Sequence, residues 1–509
     1  MRTYFFCFFL IVSFASWVEL GEEKINRPNI LFIPVDDLRP DFAAYGNENV
    51  ITPNMSRLAK NGLTFTRAYC QQAVCNPSRA SLLTGLRPDS LRVWDLQTNM
   101  RKIHPDLLTL PQYFKQNGYT TIGLGKAFHN IFPDSASWTE DVYIKGYPFD
   151  PDAMYAGETN LSIIESKKQK FITDKNTSRI DKYGLWYIKA NATENADVPD
   201  DAYYDAVQTT EAIRQLQKLK QSNKPFFLSV GYYKPHLPFN APKKYWDLYD
   251  RNKIKLADNQ FIPKNSPSFA THGDQELRSY DDFRDLPLPT QGTLSEERQR
   301  ELLHGYYASI SYMDAQLGRL LDELDRLSLT ENTLVVLWGD HGWKLGEHNA
   351  WCKQSNYEID TRVPLIVSGK GVVARGKQSS SLVEFVDIFP SLCEAVGLPV
   401  PSFLQGNSFV PILKTPTKKT KDTAFSQFLL GRFPRRADVP ERMGYTVRSD
   451  RFRYVEWYEW KNDQRGKLID KELFDHLLDP KENVNVAADK KYEKALKKLE
   501  ITLKKQFGK

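Results

Sequence analysis

The sequence contains few cysteines, with five in 509 residues. Cys7 lies in the apolar N-terminal stretch, and the others are Cys70, Cys75, Cys352 and Cys393. If Cys75 is used for other chemistry, the three that are left permit one bridge and leave at least one free thiol. This number excludes a small protein held together by a framework of disulfides.

Long apolar runs are equally scarce. The run that begins the chain has a charged residue (Arg2), an apolar stretch at 5–14 and a small-x-small sequence at 13–15, which together predict a signal peptide over residues 1–15. Such a run spans a bilayer poorly, and no later segment is long enough. The sequence therefore predicts a mature protein of the secretory pathway without a membrane span.

A large excess of charge of one sign is absent as well. The net charge of +6 suits an anionic substrate or a sulfated polymer, but it is too weak to indicate nucleic-acid binding. Hydrophobic residues make up 41% and charged residues 26% of the chain, and this balance excludes a disordered protein. The length predicts two or more domains, or one large domain with an appendage.

The sequence does contain a series of apolar runs that end in polar side chains. Runs at 28–35, 119–124, 225–231 and 332–338 are typical of buried strands of an α/β sheet. The polar residues that follow them are Asp36 and Asp37, Lys126 and His129, His236, and Asp340 and His341. Because strand ends converge on one edge of a doubly wound sheet, these side chains are expected to share one site. Taken singly, each has a plainer interpretation, as a cap, a solvated lysine or a packed histidine.

The remaining pattern changes character near residue 413. Residues 130–200 are polar and irregular, as in a long surface excursion. After residue 413, the segments 443–449 and 452–458 alternate apolar and polar residues and predict an antiparallel hairpin, which a helix over 490–507 follows. Other helices are predicted over 52–62, 109–118, 204–221, 296–327 and 382–396.

The segment 74–85 combines a cysteine with a helix start. Pro77 and Ser78 favour a turn or the first turn of a helix, so Cys75 is expected near a helix N-terminus, where backbone N–H groups favour an anion. Arg79 adds a positive charge one turn further on, and Gly85 ends the segment. The alternative is a buried structural cysteine beside a surface arginine.

Ligands for a cation are present among the strand-end residues. Asp36, Asp37, Asp340 and His341 offer three carboxylates and an imidazole, which suit a hard divalent cation. The residue types leave Ca²⁺ and Mg²⁺ both open. Lys353 follows His341 along the chain and is a further candidate for contact with an anion.

The string C-x-P-S-R-x-x-x-x-T-G that begins at Cys75 resembles the signature of the type I sulfatases. Longer motifs are similar to the iduronate-2-sulfatase branch of that family, and the resemblance runs through almost the whole mature chain. These motifs are Asp-Asp-Leu-Arg-Pro (36–40), Gln-Gln-Ala-Val-Cys (71–75), Gly-Lys-x-Phe-His (125–129), Gly-Tyr-x-Lys-Pro-His (231–236) and Gly-Asp-His-Gly-Trp-x-Leu-Gly-Glu-His (339–348).

The resemblance implies a fold, a modification and a metal. The fold is the alkaline-phosphatase-like α/β fold, with a large mixed central sheet flanked by helices over 25–412 and a small C-terminal α+β subdomain with an antiparallel sheet over 413–509. A formylglycine-generating enzyme would convert Cys75 to formylglycine (3-oxoalanine) in the unfolded chain, and a hydroxyl of its hydrate would attack the sulfate sulfur. One Ca²⁺ per chain would be held by Asp36, Asp37, Asp340, His341 and an oxygen of the modified Cys75.

The resemblance also implies roles for the basic residues. His236 would be the acid for the leaving alcohol, and His129 the base that returns the sulfated hemiacetal to the aldehyde. Arg79 would support the formylglycine. The substrate would be a 2-O-sulfated iduronate or related uronate at the end of a glycosaminoglycan chain such as heparan or dermatan sulfate. The residues in contact with the sulfate would be Lys126, His129, His236 and Lys353.

Two regions depart from the branch. The chain lacks a C-terminal insertion with paired cysteines, and residues 130–200 differ. These regions shape the sugar pocket in the family, so its pocket residues do not carry over directly to this chain. A cation in the pocket is expected to meet a uronate carboxylate. Candidate pocket residues are Arg39, Asp134, Trp343 and Arg442.

Other interpretations are compatible with the same residues. The protein could act on another sulfated sugar or a small organic sulfate, or hydrolyse a phosphodiester or phosphonate on the same scaffold. If Cys75 keeps its thiol, it could be a secreted binder of sulfated glycans without turnover. The predicted compartment is lysosomal or extracellular, or periplasmic in a bacterium. Sequons for N-glycosylation lie at Asn54, Asn160, Asn176 and Asn191.

Overall fold

The structure is a computed structural model that describes residues 27–129, 132–140, 142, 144, 151–173, 188–222, 224–271, 275–432 and 439–508. The predicted signal peptide over 1–15 and the sequon at Asn176 lie outside the described residues.

The described strands are β1 (Asn29–Val35), β2 (Gly62–Tyr69), β3 (Thr120–Gly125), β4 (Thr193–Glu194), β5 (Phe226–Gly231), β6 (Phe239–Asn240), β7 (Thr333–Gly339), β8 (Lys344–Leu345), β9 (Trp351–Cys352), β10 (Arg362–Gly369), β11 (Lys377–Ser379), β12 (Val383–Glu384), β13 (Ala424–Leu430), β14 (Arg442–Arg448), β15 (Phe452–Lys461) and β16 (Gln464–Asp475). The described α-helices are Pro53–Lys60, Cys75–Thr84, Pro88–Leu91, Met100–Ile103, Leu110–Gln116, Pro151–Met154, Glu158–Thr173, Tyr204–Ser222, Lys243–Trp246, Glu296–Arg326, Glu358–Thr361, Ile388–Ala395, Val410–Lys414 and Glu493–Phe507.

A mixed sheet forms the centre of the molecule. In the described part of the chain it contains eight strands in the order β11–β2–β10–β7–β1–β5–β3, with β12 also paired to β2. Strand β1 is parallel to β5 and β7, and β3 is parallel to β5, whereas β10 is antiparallel to both β7 and β2. The carboxyl ends of β1, β3, β5 and β7 therefore lie at one edge, where an open sheet places its site.

The central strand β1 is buried on both faces, as its unbroken apolar run predicts. Because successive side chains of a strand point to opposite faces, Leu31 and Phe32 belong to different cores. Leu31 packs in the core that contains residues of the helix Glu296–Arg326, and Phe32 packs in the core beneath the helix Cys75–Thr84. Helices thus cover both faces of the sheet.

The predicted helix over 382–396 is wrong in its first half. Residues Val383–Glu384 form β12, and the helix begins only at Ile388. The reason is the buried carboxylate of Glu384, which pairs with Arg87 at 2.8 Å and with Lys421 at 2.6 Å. The backbone N–H of Glu384 donates to the carboxylate of Asp387 at 2.8 Å, in a capping box that begins a 3-10 turn over Phe385–Asp387 leading into the helix.

The predicted irregular excursion over 130–200 is also partly wrong. It contains the helix Glu158–Thr173, in which Ile164 is buried in a small apolar cluster with Tyr155 and Ile188. The few apolar positions of this helix were too sparse among polar residues to signal a helical face.

The C-terminal residues form a second, antiparallel sheet. In the described chain its strands follow the order β13–β14–β15–β16, and β14 and β15 are the predicted hairpin. The helix Glu493–Phe507 packs on one face of this sheet through Leu499 and Leu503, beside Tyr445. A domain boundary near residue 413 stays a prediction.

Buried polar contacts join the two sheets. Glu358 accepts from Arg448 at 3.1 Å and from Arg453 at 2.6 Å. Ser426 in β13 donates to the carbonyl of Cys70 at 2.5 Å, and the Gln427 N–H donates to the carbonyl of Gln71 at 2.8 Å. Strand β13 therefore fixes the backbone that leads into Cys75.

Two further findings concern cysteines and membranes. The four cysteines within the described residues are all buried, and no disulfide joins them. None of the helices in the described ranges combines the length and the apolar composition that crossing a bilayer requires.

Glu472 is expected to make stability depend on pH. Its side chain is buried in the C-terminal sheet, where Trp457 Nε1 donates to it at 2.7 Å, and burial raises its pKa from 4.5 to about 7. Below pH 4.5 the carboxyl is neutral in both states, so the full stability is present; as the pH rises through about 7, ionisation in the unfolded chain removes about 3 kcal/mol.

The variant Glu472→Gln keeps the hydrogen bond from Trp457 but cannot ionise. We expect the difference in unfolding free energy between the wild type and this variant to fall by about 3 kcal/mol between pH 4.5 and pH 7.5, as measured by urea unfolding. A difference that does not change with pH would contradict the assignment.

Candidate active site

Two aspartates follow β1 and a third follows the neighbouring strand. Asp36, Asp37 and Asp340 are fully buried, and Val35 of β1 is opposite Gly339 of β7, so the chain leaves both strands side by side. The backbone N–H of Asp37 donates to Asp340 Oδ1 at 3.0 Å. Asp37 has a positive φ of 58°, a strained conformation for a residue with a side chain, of the kind that concentrates at functional sites.

These carboxylates form a set that fits a divalent cation. Oxygens of Asp36 and Asp340 lie within 4.8 Å of each other and of Cys75 Sγ, and Asp37, Cys75 and His341 form a second such group. His341 Nε2 is 3.4 Å from Asp37 Oδ1 and 3.5 Å from Asp340 Oδ1. Asp37 Oδ2 is buried and accepts no hydrogen bond from any described residue. A hard cation bound among the three carboxylates would give this oxygen a partner.

Cys75 lies at the first residue of the helix Cys75–Thr84, as the sequence predicts. Its Sγ is 3.3 Å from His341 Nε2 and 3.6 Å from Lys353 Nζ, and the residue is 2% exposed. Burial raises the pKa of the thiol well above its usual value, although Lys126 and Lys353 act against this effect. An unmodified Cys75 is therefore a neutral thiol and a weak nucleophile.

Arg79 is a fully buried cation that ties the aspartates together. Its Nε lies 2.9 Å from Asp340 Oδ2 and its Nη2 3.2 Å from Asp36 Oδ1. The guanidinium also donates to the carbonyl of Ala127 at 3.3 Å and lies 5.5 Å from the ring centre of Trp338. The alternative of a surface arginine is thereby wrong.

Lys126 reaches the same carboxylates from the end of β3. Its Nζ is 2.5 Å from Asp36 Oδ2. Burial acts to raise the pKa of Asp36, but Lys126, His236 and Arg79 together bring it below the usual value. Gly231 permits this arrangement, because a Cβ there would lie 2.3 Å from the carbonyl carbon of Lys126.

Lys353 follows the short strand β9 and lies next to Cys75. Its Nζ lies 2.7 Å from Asp37 Oδ1 and 5.0 Å from the ring centre of Trp343. Both flanking residues have positive φ, 73° at Cys352 and 84° at Gln354. The strained backbone on either side of Lys353 is held by the surrounding structure and fixes where the ammonium points.

His236 is held in a rigid loop after β5. Its Nε2 is 4.0 Å from Asp36 Oδ2 and 3.9 Å from Asp37 Oδ2, and its Nδ1 is 2.6 Å from the carbonyl of Leu237. Two buried residues support this loop, Asp205, which sequence reasoning missed, and Lys234, which lies in a motif quoted above but was given no role of its own. Asp205 accepts the backbone N–H groups of Tyr233 at 3.0 Å and Lys234 at 2.9 Å. Lys234 Nζ donates to the carbonyls of His236 at 3.2 Å and Pro238 at 2.6 Å.

Glu276 is another residue that the sequence did not reveal. Its carboxylate lies 2.9 Å from His236 Nε2 and 3.1 Å from Lys353 Nζ. It belongs to the loop-rich segment 240–292, in which no strand end or motif marks it.

His129 lines a cavity of 590 Å³, and so does Asn76, the residue after Cys75. Burial lowers the pKa of His129 well below its usual value, and the ammonium of Lys126 adds to the effect. Its Nδ1 has no hydrogen-bond partner among the described residues. A neutral imidazole with an open nitrogen is equipped to accept a proton. Asp134 lines the same cavity and is paired with Arg101 at 2.7 Å.

The other three predicted pocket residues differ in their surroundings. Arg39 is a poor candidate for a uronate carboxylate, because its guanidinium is already paired with Asp41 and, at 2.8 Å, with Glu347. Trp343 is only 1% exposed and lies under Lys353. Arg442 stacks on Phe269 at 4.4 Å from the ring centre, at the start of β14. Arg39 lines a larger cavity of 1270 Å³ that includes neither Cys75 nor the aspartates after β1 and β7.

The described sequons differ in how available their amides are. Asn54 Nδ2 donates to the carboxylate of Asp314 at 3.1 Å, and Asn160 Nδ2 donates to Glu194 at 3.0 Å and is 4% exposed. Both are poor glycosylation sites in the folded protein, because the amide that would be modified is already bound. Asn191 is half-buried, and its glycosylation stays a prediction.

The mixed sheet with helices on both faces and the buried site at its carboxyl edge define a hydrolase with the alkaline-phosphatase-like fold. The profile described as Sulfatase matches residues 28–398, and the one described as N-sulphoglucosamine sulphohydrolase, C-terminal, matches residues 346–509. The chain belongs to the type I sulfatase family, near its iduronate-2-sulfatase branch, and is a sulfuric ester hydrolase.

Among its relatives are two iduronate 2-sulfatases. The chain is 35% identical to that of Mus musculus over 492 residues, which cover 86% of each protein. It is 34% identical to that of Homo sapiens over 516 residues, which cover 89% of this chain and 90% of the other.

Solved structures share the fold. A structure described as a 2-O GAG sulfatase superposes with a TM-score of 0.69 at 20% identity over 95% of this chain and 92% of the other. The phosphonate monoester hydrolase of Agrobacterium radiobacter superposes with a TM-score of 0.66 at 24% identity over 94% and 96% of the two chains.

Proposed function

We propose that this sulfatase removes the 2-O-sulfate from iduronate or a related uronate at the end of a glycosaminoglycan chain. The observation that carries the proposal is the ring of buried groups around Cys75, in which His341, Lys353 and the aspartates lie within a few ångströms of Sγ. The identity with the two iduronate 2-sulfatases over nearly the whole chain supports the choice of sugar.

We propose that a calcium ion binds among Asp36, Asp37, Asp340, His341 and the residue at position 75. Three buried carboxylates and the unpartnered Asp37 Oδ2 support this assignment. When bound, the cation would neutralise these carboxylates and polarise a sulfate oxygen. Conversion of Cys75 to formylglycine by a formylglycine-generating enzyme would supply the nucleophile that the neutral thiol does not provide.

The remaining side chains have separate tasks in this proposal. Lys126 and Lys353 flank position 75 and would hold the sulfate oxygens by charge-assisted hydrogen bonds. His236, in its rigid loop, would give a proton to the leaving alcohol. His129, which burial keeps neutral, would accept a proton at its open Nδ1. Arg79 would fix Asp36 and Asp340 in place.

We propose that the protein travels the secretory route behind its N-terminal signal peptide and acts in a lysosome, outside the cell or in a periplasm. The resemblance of residues 1–15 to a signal peptide supports this route. A sulfated glycan and the modifying enzyme are the partners it requires.

Two measurements on protein from its natural host test the proposal. The mass of the peptide that contains Cys75 should show loss of sulfur and gain of an aldehyde. Disaccharides that carry a single sulfate at different positions should then be hydrolysed only where a terminal uronate bears it at the 2-position. Turnover of other sulfated sugars instead would redirect the substrate, and an intact thiol without turnover would favour a glycan-binding protein.

Replacement of His236 by alanine is expected to slow the hydrolysis of alkyl sulfates more than that of activated aryl sulfates. The rate on an alkyl or sugar sulfate should fall by about 10²–10⁴-fold, because its alkoxide leaves poorly without a proton. An activated aryl sulfate should lose about tenfold or less, since its leaving group is stable as an anion. Steady-state kinetics on both substrates check this, and equal slowing of the two would count against His236 as the acid.

A further inference from the structure

Glu276 bridges two of the groups proposed to act on the sulfate ester. One carboxylate oxygen lies 2.9 Å from His236 Nε2, and the other lies 3.1 Å from Lys353 Nζ. The Glu276 side chain keeps 20% of its exposure, whereas that of Lys353 keeps 2%. Glu276 thus lies at the edge of the site and reaches inward to both donors.

These contacts place a negative charge where the substrate's sulfate has to bind. Lys353 Nζ is 3.6 Å from Cys75 Sγ, so its ammonium is next to the position from which sulfur would be attacked. An incoming sulfate competes with Glu276 for the same ammonium, and the leaving oxygen competes with it for the same ring nitrogen of His236. The sulfate ester can therefore bind both donors only after the Glu276 carboxylate has broken its contacts with His236 and Lys353.

The same contacts fix the orientation of the imidazole. His236 is held through Nδ1 by the carbonyl of Leu237 at 2.6 Å and through Nε2 by Glu276. Removing the Glu276 carboxylate takes away this contact at Nε2 and leaves the contact at Nδ1 in place. Burial acts to raise the pKa of Glu276, but Lys353 and His236 hold it well below the usual value, so the carboxylate is ionised.

A further cation lies beside the carboxylate. Lys189 Nζ donates to Ser279 Oγ at 2.9 Å and lies 4.4 Å from the ring centre of Tyr280, on the segment that carries Glu276. Lys189 also helps to lower the pKa of Glu276. A carboxylate released by His236 and Lys353 therefore has another cation near it, which reduces the cost of its release.

We infer that Glu276 is a positioning residue that holds His236 and Lys353 toward the sulfate site and yields them to the incoming sulfate ester. This inference rests on the proposed function, which supplies the roles of the two donors. It requires that loss of the carboxylate has two effects of opposite sign. Anions should bind more tightly, because a competitor is gone, while proton delivery to a poor leaving group should become slower, because the imidazole has lost an anchor.

The test compares Glu276→Gln with wild type, using inorganic sulfate as the probe in calorimetric titrations and an alkyl and an aryl sulfate as substrates. We expect sulfate to bind at least about tenfold more tightly to the variant, since a charge-assisted hydrogen bond no longer opposes it. We expect the kcat on the alkyl sulfate to fall about tenfold, with a smaller loss on the aryl sulfate. A purely structural role would instead weaken sulfate binding and slow both substrates.

Asp281→Asn is the matched control. It removes the same charge from the same segment, but Asp281 pairs with Lys167 and Arg284 rather than with the site. Sulfate affinity and the ratio of the two substrate rates should stay at wild-type values.

A second variant covers the case in which Glu276→Gln does not fold. The side chain of Glu276→Asp is one methylene shorter and cannot reach both donors, so sulfate should again bind more tightly than to wild type. If the folded variants bind sulfate no more tightly than wild type, the competition between Glu276 and sulfate is ruled out. It is also ruled out if neither wild type nor the variants bind sulfate. Wild type that binds sulfate but hydrolyses no sulfate ester would overturn the proposed function, while the titrations would still decide the competition by Glu276.

Discussion

Replacing Cys75 by alanine is expected to abolish sulfate-ester hydrolysis, with a loss of at least about 10⁴-fold in kcat, because the group that would form the bond to sulfur is missing. The fold should survive, since the substitution removes one buried atom at the start of a helix that Arg79 and Ser78 anchor to Asp340. The rate on an aryl sulfate and the unfolding midpoint, measured on the same preparation, check both parts.

Cys393→Ala is the matched control for the loss of a buried thiol. Cys393 packs in the apolar core under the sheet, in the helix Ile388–Ala395, and belongs to none of the groups of possible metal ligands around Cys75. We expect it to cost about 1 kcal/mol of stability and to keep kcat. Turnover near the wild-type rate in Cys75→Ala would end the assignment of position 75 as the nucleophile.

Replacing Arg79 by methionine is expected to impair both stability and activity. Arg79 is fully buried, and its removal leaves Asp36 and Asp340 without their shared cation. Breaking such a buried pair costs about 3–5 kcal/mol, because the uncompensated charges stay in the interior. We expect an unfolding free energy lower by at least about 3 kcal/mol in denaturant titrations. We also expect no measurable turnover, because the carboxylates lose their geometry.

Arg57→Met offers a comparison with a similar number of ion pairs at the surface. Arg57 contacts Asp322 and Asp325, both at 2.6 Å, but all three side chains are solvent-accessible. Its loss should cost about 1 kcal/mol or less and leave the rate unchanged. If the two arginine variants had the same free energy of unfolding, the burial of Arg79 would not make its ion pairs stronger than those of Arg57.

Strand ends explain why much of the site could be predicted from sequence. The run 28–35 is typical of a strand buried on both faces, and this predicted that its next residues, Asp36 and Asp37, lie at the carboxyl edge of the sheet. The same reasoning brought Asp340 to that edge, and the parallel pairing of β1 with β7 then placed all three together. Local sequence was therefore enough to predict a site residue wherever that residue directly follows the end of a strand.

Residues whose partners are distant in sequence were beyond such reasoning. Glu276 reaches the site from a loop without regular strands, and its partners are forty residues before it and nearly eighty after it, at His236 and Lys353. Arg39 illustrates the converse: its position beside the aspartates suggested a ligand-binding cation. Only the fold shows that Glu347 already neutralises it. Charge type and spacing do not reveal which partner a long side chain selects.

The burial of Cys75 and its connection to β13 limit the time during which the thiol is accessible in the newly made chain. Any enzyme that must reach this thiol needs the chain open, yet the thiol is 2% exposed once the protein has folded. The contact that fixes the approach to it joins Cys70 to Ser426, which is separated from it by 356 residues of chain. At a synthesis rate of about 5–20 residues per second, roughly 20–70 s pass between the emergence of the two partners. If Cys75 is modified as proposed above, the length of chain between the two partners sets the time open to the modifying enzyme. Shortening that stretch or speeding its translation would then lower the modified fraction.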